Sequence, residues 1–249
     1  MKYFFLFFAC FFLYYSLPAQ EPIASSDSTI RALAYEYTSN QYFKFLQRQA
    51  QLYSGREYLE FEIAIDGHQY LYSKLWESAY IKFEDLLYKN IDARYDLYRD
   101  LLIIKHFDES GRMVSIIPDQ NLVKGFLIYG EHYIRIDPTD SIINTPQKAG
   151  FYHVIYDGKI PVLAKKIKNM NSSSTTTVSK EFVEKDRHFL IKEQELHLIT
   201  GKGSLWKLFP EHKKDLKKFA RKSGIYFAKE KGFFLTRVIK KYEMLTANP

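Results

Sequence analysis

The spacing of apolar residues changes twice along the chain and divides it into three regions behind a short leader. Residues 20–56 and 209–249 repeat apolar positions at helical spacing, whereas residues 57–208 alternate apolar and polar positions with a period of two. We therefore predict an N-terminal helical segment, a middle β-meander and a basic C-terminal helical segment that packs on the sheet.

Both helical regions carry recognisable end signals. We predict two short helices between residues 27 and 53, with Asp27 or Ser28 capping the first turn. In the C-terminal segment, Pro210 suits the first position of a helix and Ser223-Gly224 suits its end. A last helix is predicted from an apolar stripe that comprises Leu235, Val238, Ile239, Tyr242 and Leu245.

Turn sequences divide the middle region into roughly ten short strands. The turns that we interpret as hairpin connections are Asp66-Gly67, Glu109-Ser110-Gly111, Tyr129-Gly130-Glu131, Asp157-Gly158 and Gly201-Lys202-Gly203. Residues 171–179 contain only small or polar side chains and one valine, and we interpret them as a mobile loop.

The fold class follows from this order of elements. Because no long helix separates the strands, we predict an α+β fold that is mainly antiparallel β. The meander is expected to form a curved half-barrel or barrel-like sheet, with short N-terminal helices and two C-terminal helices. One face of the sheet should be apolar and the other wet, as the alternation of Ile134 and Ile136 with Tyr133 and Arg135 indicates.

Residues 1–19 have the layout of a secretory signal peptide. Lys2 supplies a positive charge, residues 3–15 are apolar, and Leu17-Pro18-Ala19 resembles a processing site. The apolar stretch is shorter than the roughly 20 residues that span a bilayer. We predict cleavage after Ala19, export, and no permanent transmembrane helix, with a retained anchor as the alternative. Lipidation of Cys10 is disfavoured, because the preceding Phe-Phe-Ala lacks the expected aliphatic-then-small pattern.

Charge is distributed unevenly along the chain. Cleavage after Ala19 removes the single cysteine, so we expect a mature chain without disulfides or cysteine ligands. Residues 20–158 carry 14 Lys and Arg against 20 Asp and Glu, whereas residues 159–249 carry 21 against 9. This asymmetry indicates either an anionic partner or a solubilising surface. For an exported protein we expect lipid headgroups, a glycan or another envelope protein as partner, and no specific nucleic acid.

The basic C-terminal helix is the sharpest candidate for a binding site. Six cations lie on about three turns above a narrow apolar stripe of Leu216, Phe219 and Ala220. Such a helix can lie on an anionic surface, and the alternative is a solvated face on a docked helix. The candidate residues are Lys213, Lys214, Lys217, Lys218, Arg221 and Lys222.

The sequence offers little chemistry for catalysis. It contains no GxSxG, HExxH, GxxxxGK[ST] or EF-hand motif, and its seven histidines show no metal-site spacing. A turn centred on Gln194 would pair His197 with Ile191, so that His188 and His197 need not meet. The alternating carboxylates Glu60 with Glu62, and Glu193 with Glu195, are interpreted as solubilising pairs. We predict no catalytic residue, no metal site and no cofactor.

Four short stretches resemble a family of exported Bacteroidota proteins. They are Tyr53-Ser54-Gly55-Arg56-Glu57-Tyr58, Asp66-Gly67-His68-Gln69-Tyr70, Arg94-Tyr95-Asp96 and Gly150-Phe151-Tyr152-His153-Val154-Ile155-Tyr156-Asp157-Gly158. The resemblance spans most of the chain, and it departs from the family pattern before Gly55, where Asn is usual, and before Tyr70, where Pro is usual. It implies an address in the envelope of a Gram-negative bacterium and no particular activity, because the family is functionally uncharacterised.

These observations favour a non-enzymatic binding or scaffolding module of the cell envelope, either in the periplasm or outer-membrane-associated or secreted. One alternative is a carrier that holds an apolar or lipid ligand inside the curved sheet. A second alternative is a hydrolase whose site is assembled from scattered histidine, carboxylate and hydroxyl groups.

Overall fold

The computed structural model describes residues 24–46, 51–61, 65–137, 149–174 and 178–247, with the backbone alone for residues 24–27, 40–46, 173–174 and 178–179. The predicted signal peptide, Cys10 and Glu62 lie outside these ranges. The chain forms two compact units, Met1–Tyr42 and Phe43–Pro249.

Helix α1 (Ala24–Leu46) begins in the first unit. It replaces the two predicted helices, because the polar stretch at residues 38–40 contains neither Gly nor Pro to interrupt it. The predicted cap at Asp27 or Ser28 is wrong, since the helix already begins at Ala24. Among the side chains of α1 that the structure describes, the large apolar ones are exposed: Ile30, Leu33, Tyr35 and Tyr37.

The second unit contains a 3-10 helix (Gln51–Tyr53), thirteen strands and three further α-helices within the described ranges. The strands are β1 (Arg56–Glu57), β2 (Glu77–Phe83), β3 (Leu86–Asp96), β4 (Leu101–Phe107), β5 (Met113–Ile117), β6 (Val123–Ile128), β7 (Glu131–Ile136), β8 (Gly150–Tyr156), β9 (Val162–Lys165), β10 (Lys168–Ser174), β11 (Val178–Glu184), β12 (Arg187–Lys192) and β13 (Glu195–Leu198). The helices are α2 (Lys202–Lys207), α3 (Lys213–Lys222) and α4 (Lys231–Ala247). Among the helices in the described ranges, none combines the length and apolar character needed to cross a membrane.

Eleven strands form one antiparallel sheet in the order β1-β5-β4-β3-β2-β6-β7-β8-β9-β12-β13. The order follows the sequence except that β2 pairs with both β3 and β6, and that the hairpin β10-β11 forms a separate two-stranded sheet. The large sheet is not closed, because β1 and β13 do not pair with each other. The predicted fold class, a mainly antiparallel meander consistent with a curved half-barrel, is confirmed.

The register places a continuous row of side chains across six strands on one face. The pairs of this row run from Ile81 on β2 to His188 on β12 and comprise Ile81-Phe126, Phe126-Tyr133, Tyr133-His153, His153-Ala164 and Ala164-His188. Directly paired residues of antiparallel strands point to the same side. The row therefore begins in apolar and aromatic side chains and ends in histidines.

Two large apolar clusters stabilise the unit. The first core includes Ile81, Phe126, Tyr133 and Phe151, all nearly inaccessible to solvent. The second core joins Val162 and Leu190 of the sheet to buried residues of the helices, namely Leu205, Trp206, Leu216, Phe234, Leu235, Val238 and Ile239. Burial of side chains of this size contributes about 1.5–3 kcal/mol each, so helices α2, α3 and α4 are integral to the fold. The predicted apolar stripe of the last helix is part of this core.

Several local predictions are corrected. Tyr133 is fully buried and stacks on Phe126, with ring centroids 4.9 Å apart, so the Tyr133 side of β7 is not wet. Asp66-Gly67 is not a hairpin turn, because Asp66 instead forms a parallel bridge to Glu181. Residues 171–174 and 178–179 are not loop but pair as strands, extending a ladder that starts beside the apolar pair Met170-Phe182.

Two predicted helix and turn positions also differ. Gly201-Lys202-Gly203 is not a hairpin but the start of α2, since the Ser204 hydroxyl accepts a hydrogen bond from the Gly201 amide at 3.2 Å and closes the first turn. Pro210 lies in a turn before α3, whose first backbone bond runs from Leu216 to His212. The predicted end of this helix at Ser223-Gly224 is confirmed, with Gly224 at φ 68°.

Candidate functional site

The six predicted cations all lie exposed on α3. The opposite side of the helix is docked: Leu216 is fully buried in the second core, Ala220 packs against that core, and Phe219 is half-buried. The Arg237 guanidinium of α4 lies 6.0 Å from the Phe219 ring centroid. The apolar stripe of α3 therefore packs against the protein, and its whole cationic side faces solvent.

Few acidic side chains accompany this surface. Asp215 is the single acidic residue of α3, and it lies in the first turn, where the helix dipole favours a negative charge. Arg221 and Lys222 lie in the last turn, where the dipole favours cations. Residues 202–247 carry thirteen Lys and Arg against four Asp and Glu. The helical end of the molecule thus has a strongly positive field.

An open groove of about 610 Å³ adjoins the C-terminal end of α3. Half-buried Ala220, Ile225 and Phe227 supply its apolar surface. Its lining also contains three exposed cations, Lys202 of α2, Arg221 of α3 and Lys229 of the following loop. Sequence reasoning missed this groove, because Lys202 is about 20 residues from Arg221 and the supposed hairpin at Gly201 hid the start of α2.

An ion pair between Lys166 and Glu131 lies on the sheet face that carries the row of side chains from Ile81 to His188. Lys166 Nζ donates to both carboxylate oxygens of Glu131, at 2.8 and 2.9 Å, and also to the Tyr72 hydroxyl. The Tyr133 and Tyr72 hydroxyls each donate to Glu131 at 2.6 Å. We call Tyr72, Glu131, Tyr133 and Lys166 the polar network.

The polar network stabilises the charged forms of Glu131 and Lys166. Burial raises the pKa of Glu131, but the hydrogen bonds from Lys166, Tyr133 and Tyr72 outweigh it and leave that pKa below its usual value. Burial likewise disfavours the charged form of Lys166, yet Glu131 and Tyr72 raise its pKa overall. Both groups are therefore ionised at neutral pH, and neither is poised to exchange a proton.

His153 and His188 lie next to this network. His153 Nδ1 is 4.0 Å from Glu131, and burial lowers the pKa of this histidine. Burial, with Lys231 and His153, lowers the pKa of His188 to about 4, and its buried Nδ1 has no hydrogen-bond partner within the part of the chain that the structure describes. Both histidines are therefore neutral at pH 7.

A second polar cluster brings three of the stretches that carry the family resemblance into contact. Tyr58 donates to buried Asp96 at 2.8 Å, and Gln69 donates to the Tyr58 hydroxyl at 3.0 Å. Arg94 bonds Glu60 at 3.1 Å while its guanidinium lies 4.3 Å from the centroid of the Tyr70 ring. A shallow cleft of about 220 Å³ adjoins this cluster.

The fourth stretch forms a third cluster at the start of β8. Lys165 Nζ donates to Asp100 and to the Phe151 carbonyl, and Tyr95 donates to Asp100 at 2.5 Å. Gly150 has φ 148°, and a Cβ there would collide with the Asp100 carboxylate and Lys165 Nζ. Only glycine fits at this position, so Gly150 serves packing.

The other residues singled out by sequence lie apart. Glu60 accepts hydrogen bonds from Tyr70, Gln69 and Arg94, and its predicted partner Glu62 lies outside the described ranges. His197 pairs with Leu190 rather than with Ile191, because Glu193 and Gln194 form a two-residue turn. Within the described part of the chain, no group of three or more His, Cys, Asp or Glu side chains can hold a metal ion.

Comparisons with family models, with curated proteins and with solved structures found no match for this chain. The candidate site therefore rests on geometry and charge alone.

Proposed function

We propose that this chain is a non-enzymatic binding module of the bacterial cell envelope, and that it binds an anionic component through the exposed side of α3. The observation that carries the proposal is the placement of the six cations. All are exposed on a helix whose other side is fixed to the second core. A fixed helix holds its cations in one array, so an anionic surface can contact several of them at once.

The magnitude of this attraction is sufficient for binding. A Lys or Arg near an anionic lipid surface contributes about 1 kcal/mol, so the six cations together contribute about 6 kcal/mol, which lies between millimolar affinity (about 4 kcal/mol) and micromolar affinity (about 8 kcal/mol). Phosphates of lipid headgroups and acidic groups of glycans share this chemistry. Either source should show binding that weakens with salt, because exposed charges are screened within about 10 Å at 0.1 M ionic strength.

The polar clusters of the sheet support a structural role rather than catalysis. Glu131 and Lys166 neutralise each other, and the buried histidines are neutral and enclosed. A general acid or base works best with a pKa near the operating pH, and the shifts of Glu131 and Lys166 move their pKa values away from it. The hydrolase hypothesis gains no support from these groups.

The carrier hypothesis is weakened by the way the sheet face is filled. Side chains of the first core cover the face from β2 to β8, and α2 and α4 cover it at β9 and β12. Ligand sites are usually clefts of about 300–1,000 Å³, and a groove of that size lies at the helical end, outside the sheet.

The test compares two charge variants with the same change in net charge. In the first, four exposed lysines of α3 are replaced by Gln, namely Lys213, Lys217, Lys218 and Lys222. In the control, four exposed lysines elsewhere are replaced by Gln, namely Lys74, Lys124, Lys159 and Lys185. Binding is measured by co-sedimentation with phosphatidylglycerol-containing vesicles and by retention on a soluble polyanion, at low and high salt.

We expect wild type and control to bind the anionic probe and the α3 variant to bind at least about tenfold more weakly. Loss of binding with vesicles alone would identify lipid as the source of the anions, and loss with the polyanion alone would identify a glycan. Equal weakening in both variants would mean that net charge rather than α3 is responsible, and would refute the proposal.

A further inference from the structure

The groove next to α3 combines an apolar side with a cationic rim. Its apolar side is formed by Ala220, Ile225 and Phe227, and Tyr226 stands beside it with 74% of its surface exposed. The cations on its rim are Lys202, Arg221 and Lys229, and among the described residues no acidic side chain lines it. An apolar surface rimmed by polar groups is typical of ligand-binding grooves.

The walls of the groove are held by the fold. Gly224 at φ 68° ends α3, and the Ser223 hydroxyl donates to the Ala220 carbonyl and accepts from the Ile225 amide. The Tyr226 carbonyl accepts hydrogen bonds from the amides of Lys229 and Glu230 and closes the next turn. Ile225 and Phe227 pack against the second core. The groove is therefore preformed, which reduces the entropy lost when a ligand binds.

The composition of the groove specifies the chemistry of its occupant. Three cations in the lining favour a phosphate or another multiply charged anion, and Arg221 offers planar paired donors suited to phosphate. The apolar side favours a hydrocarbon chain attached to that anion. An inorganic anion or a glycan would leave the apolar side uncovered, whereas an uncharged hydrocarbon would leave the cations unpaired.

We propose that the groove binds one phosphate-bearing amphiphile, with the phosphate at Lys202, Arg221 and Lys229 and the hydrocarbon chain along Ala220, Ile225 and Phe227. This inference rests on the proposed function and narrows it, because it makes an anionic lipid the component that α3 contacts. The cations of α3 attract the anionic lipid surface, and the groove binds a single lipid molecule from that surface.

The experiment measures binding of a single-chain lysophosphatidic acid below its critical micelle concentration, by isothermal titration calorimetry. Ala228 lines the groove and is exposed, so Ala228→Trp fills the groove without disturbing the core. Met244→Trp, at an exposed position of α4, is the matched control. Glycerol phosphate serves as the headgroup without a chain. Circular dichroism establishes that both variants are folded.

We expect wild type and Met244→Trp to bind the amphiphile, glycerol phosphate to bind at least about tenfold more weakly, and Ala228→Trp to lose at least about tenfold in affinity for the amphiphile. Ala228→Trp should still adsorb to the soluble polyanion or to anionic vesicles through α3. Equal affinity of Ala228→Trp and wild type for the amphiphile would overturn the inference.

The remaining outcomes separate this inference from the proposed function. Wild type that binds vesicles or the polyanion but not the monomeric amphiphile refutes the groove inference and leaves the role of α3 intact. Wild type that binds none of the probes refutes both.

Discussion

His188 shows how a single side chain can set the acid sensitivity of this protein. It lies at the end of the cross-sheet row, paired with Ala164, and α4 approaches it so closely that a Cβ at Gly232 would lie 3.4 Å from its Nε2. Lys231 of α4 and His153 of β8 face it and oppose a further positive charge. The fold therefore excludes a proton at a site that readily accepts one in the unfolded chain.

This exclusion predicts a loss of stability in acid. The pKa of His188 is about 4 in the fold and about 6.5 in the unfolded chain. Above pH 6.5 the histidine is neutral in both states and does not lower the free energy of unfolding. As the pH drops from 6.5 towards 4, the unfolded chain binds a proton that the fold does not, so the free energy of unfolding falls. The full difference corresponds to roughly 3 kcal/mol. We expect His188→Gln to reduce the decrease in the free energy of unfolding between pH 7 and pH 4.5, measured by urea denaturation.

His132→Gln, at an exposed position of β7, serves as the control for the loss of one histidine. If His188→Gln and wild type lose the same free energy of unfolding across this pH range, other groups cause the acid sensitivity.

At the scale of elements, the turn between β12 and β13 is a point of backbone strain. Glu193 and Gln194 have φ angles of 54° and 62°, as a two-residue hairpin turn requires at both central positions. Neither residue is glycine, and the left-handed region costs other residues roughly 1–2 kcal/mol. The Lys192-Glu193 ion pair at 2.9 Å is exposed and contributes little.

We therefore expect Gln194→Gly to raise the free energy of unfolding by up to about 1 kcal/mol, since glycine adopts this conformation without steric cost. Glu109→Gly lies in the turn between β4 and β5, at a position whose φ is not positive, and it should be neutral or destabilising. Thermal denaturation of both variants tests this. A destabilised Gln194→Gly variant would show that the side chain at this position outweighs the backbone strain.

The same turn illustrates which parts of the fold the sequence can predict. Periodicity predicted the antiparallel meander, because alternate burial on a sheet leaves a local pattern. The predicted register of β12 and β13 was wrong by one residue, since His197 pairs with Leu190 and not with Ile191. The Glu193-Gln194 turn carries none of the usual Asn-Gly or Asp-Gly signal that would have located it.

Contacts between distant residues were not predictable in this way. Tyr58 and Asp96 are 38 residues apart, and Lys166 and Glu131 are 35 residues apart. The exposure of the α3 cations was predictable, because helical spacing alone places them on the side of the helix opposite buried Leu216. The groove was not, since it forms only when α2 is brought beside the loop between α3 and α4.

At the scale of the second unit, strand β8 links its two cores. Phe151 at its start belongs to the first core, and Ile155 and Tyr156 at its end pack against the second. The Tyr156 hydroxyl also donates to Glu243 of α4 at 2.6 Å. Disruption of either core therefore disturbs a strand that the other core needs, and the unit should unfold as a whole.

The two tryptophans allow this to be measured. Trp76 packs near Tyr58 and Tyr70, whereas Trp206 lies in the second core. Trp206→Phe leaves Trp76 as the single reporter, and Trp76→Phe leaves Trp206. We expect each variant's fluorescence transition in urea to coincide with its own circular dichroism transition, as two-state unfolding requires. A helical end that unfolds at lower urea would contradict a shared transition.

The outermost strands of the open sheet have a consequence for the behaviour of the protein in solution. β1 has two residues and β13 has four, and β13 presents Glu195 and half-exposed His197. A long, flat, apolar edge strand is a template on which another chain can add by backbone hydrogen bonding. Because β1 and β13 are short and β13 carries charge, they offer little of that template. We therefore expect the open sheet not to promote aggregation.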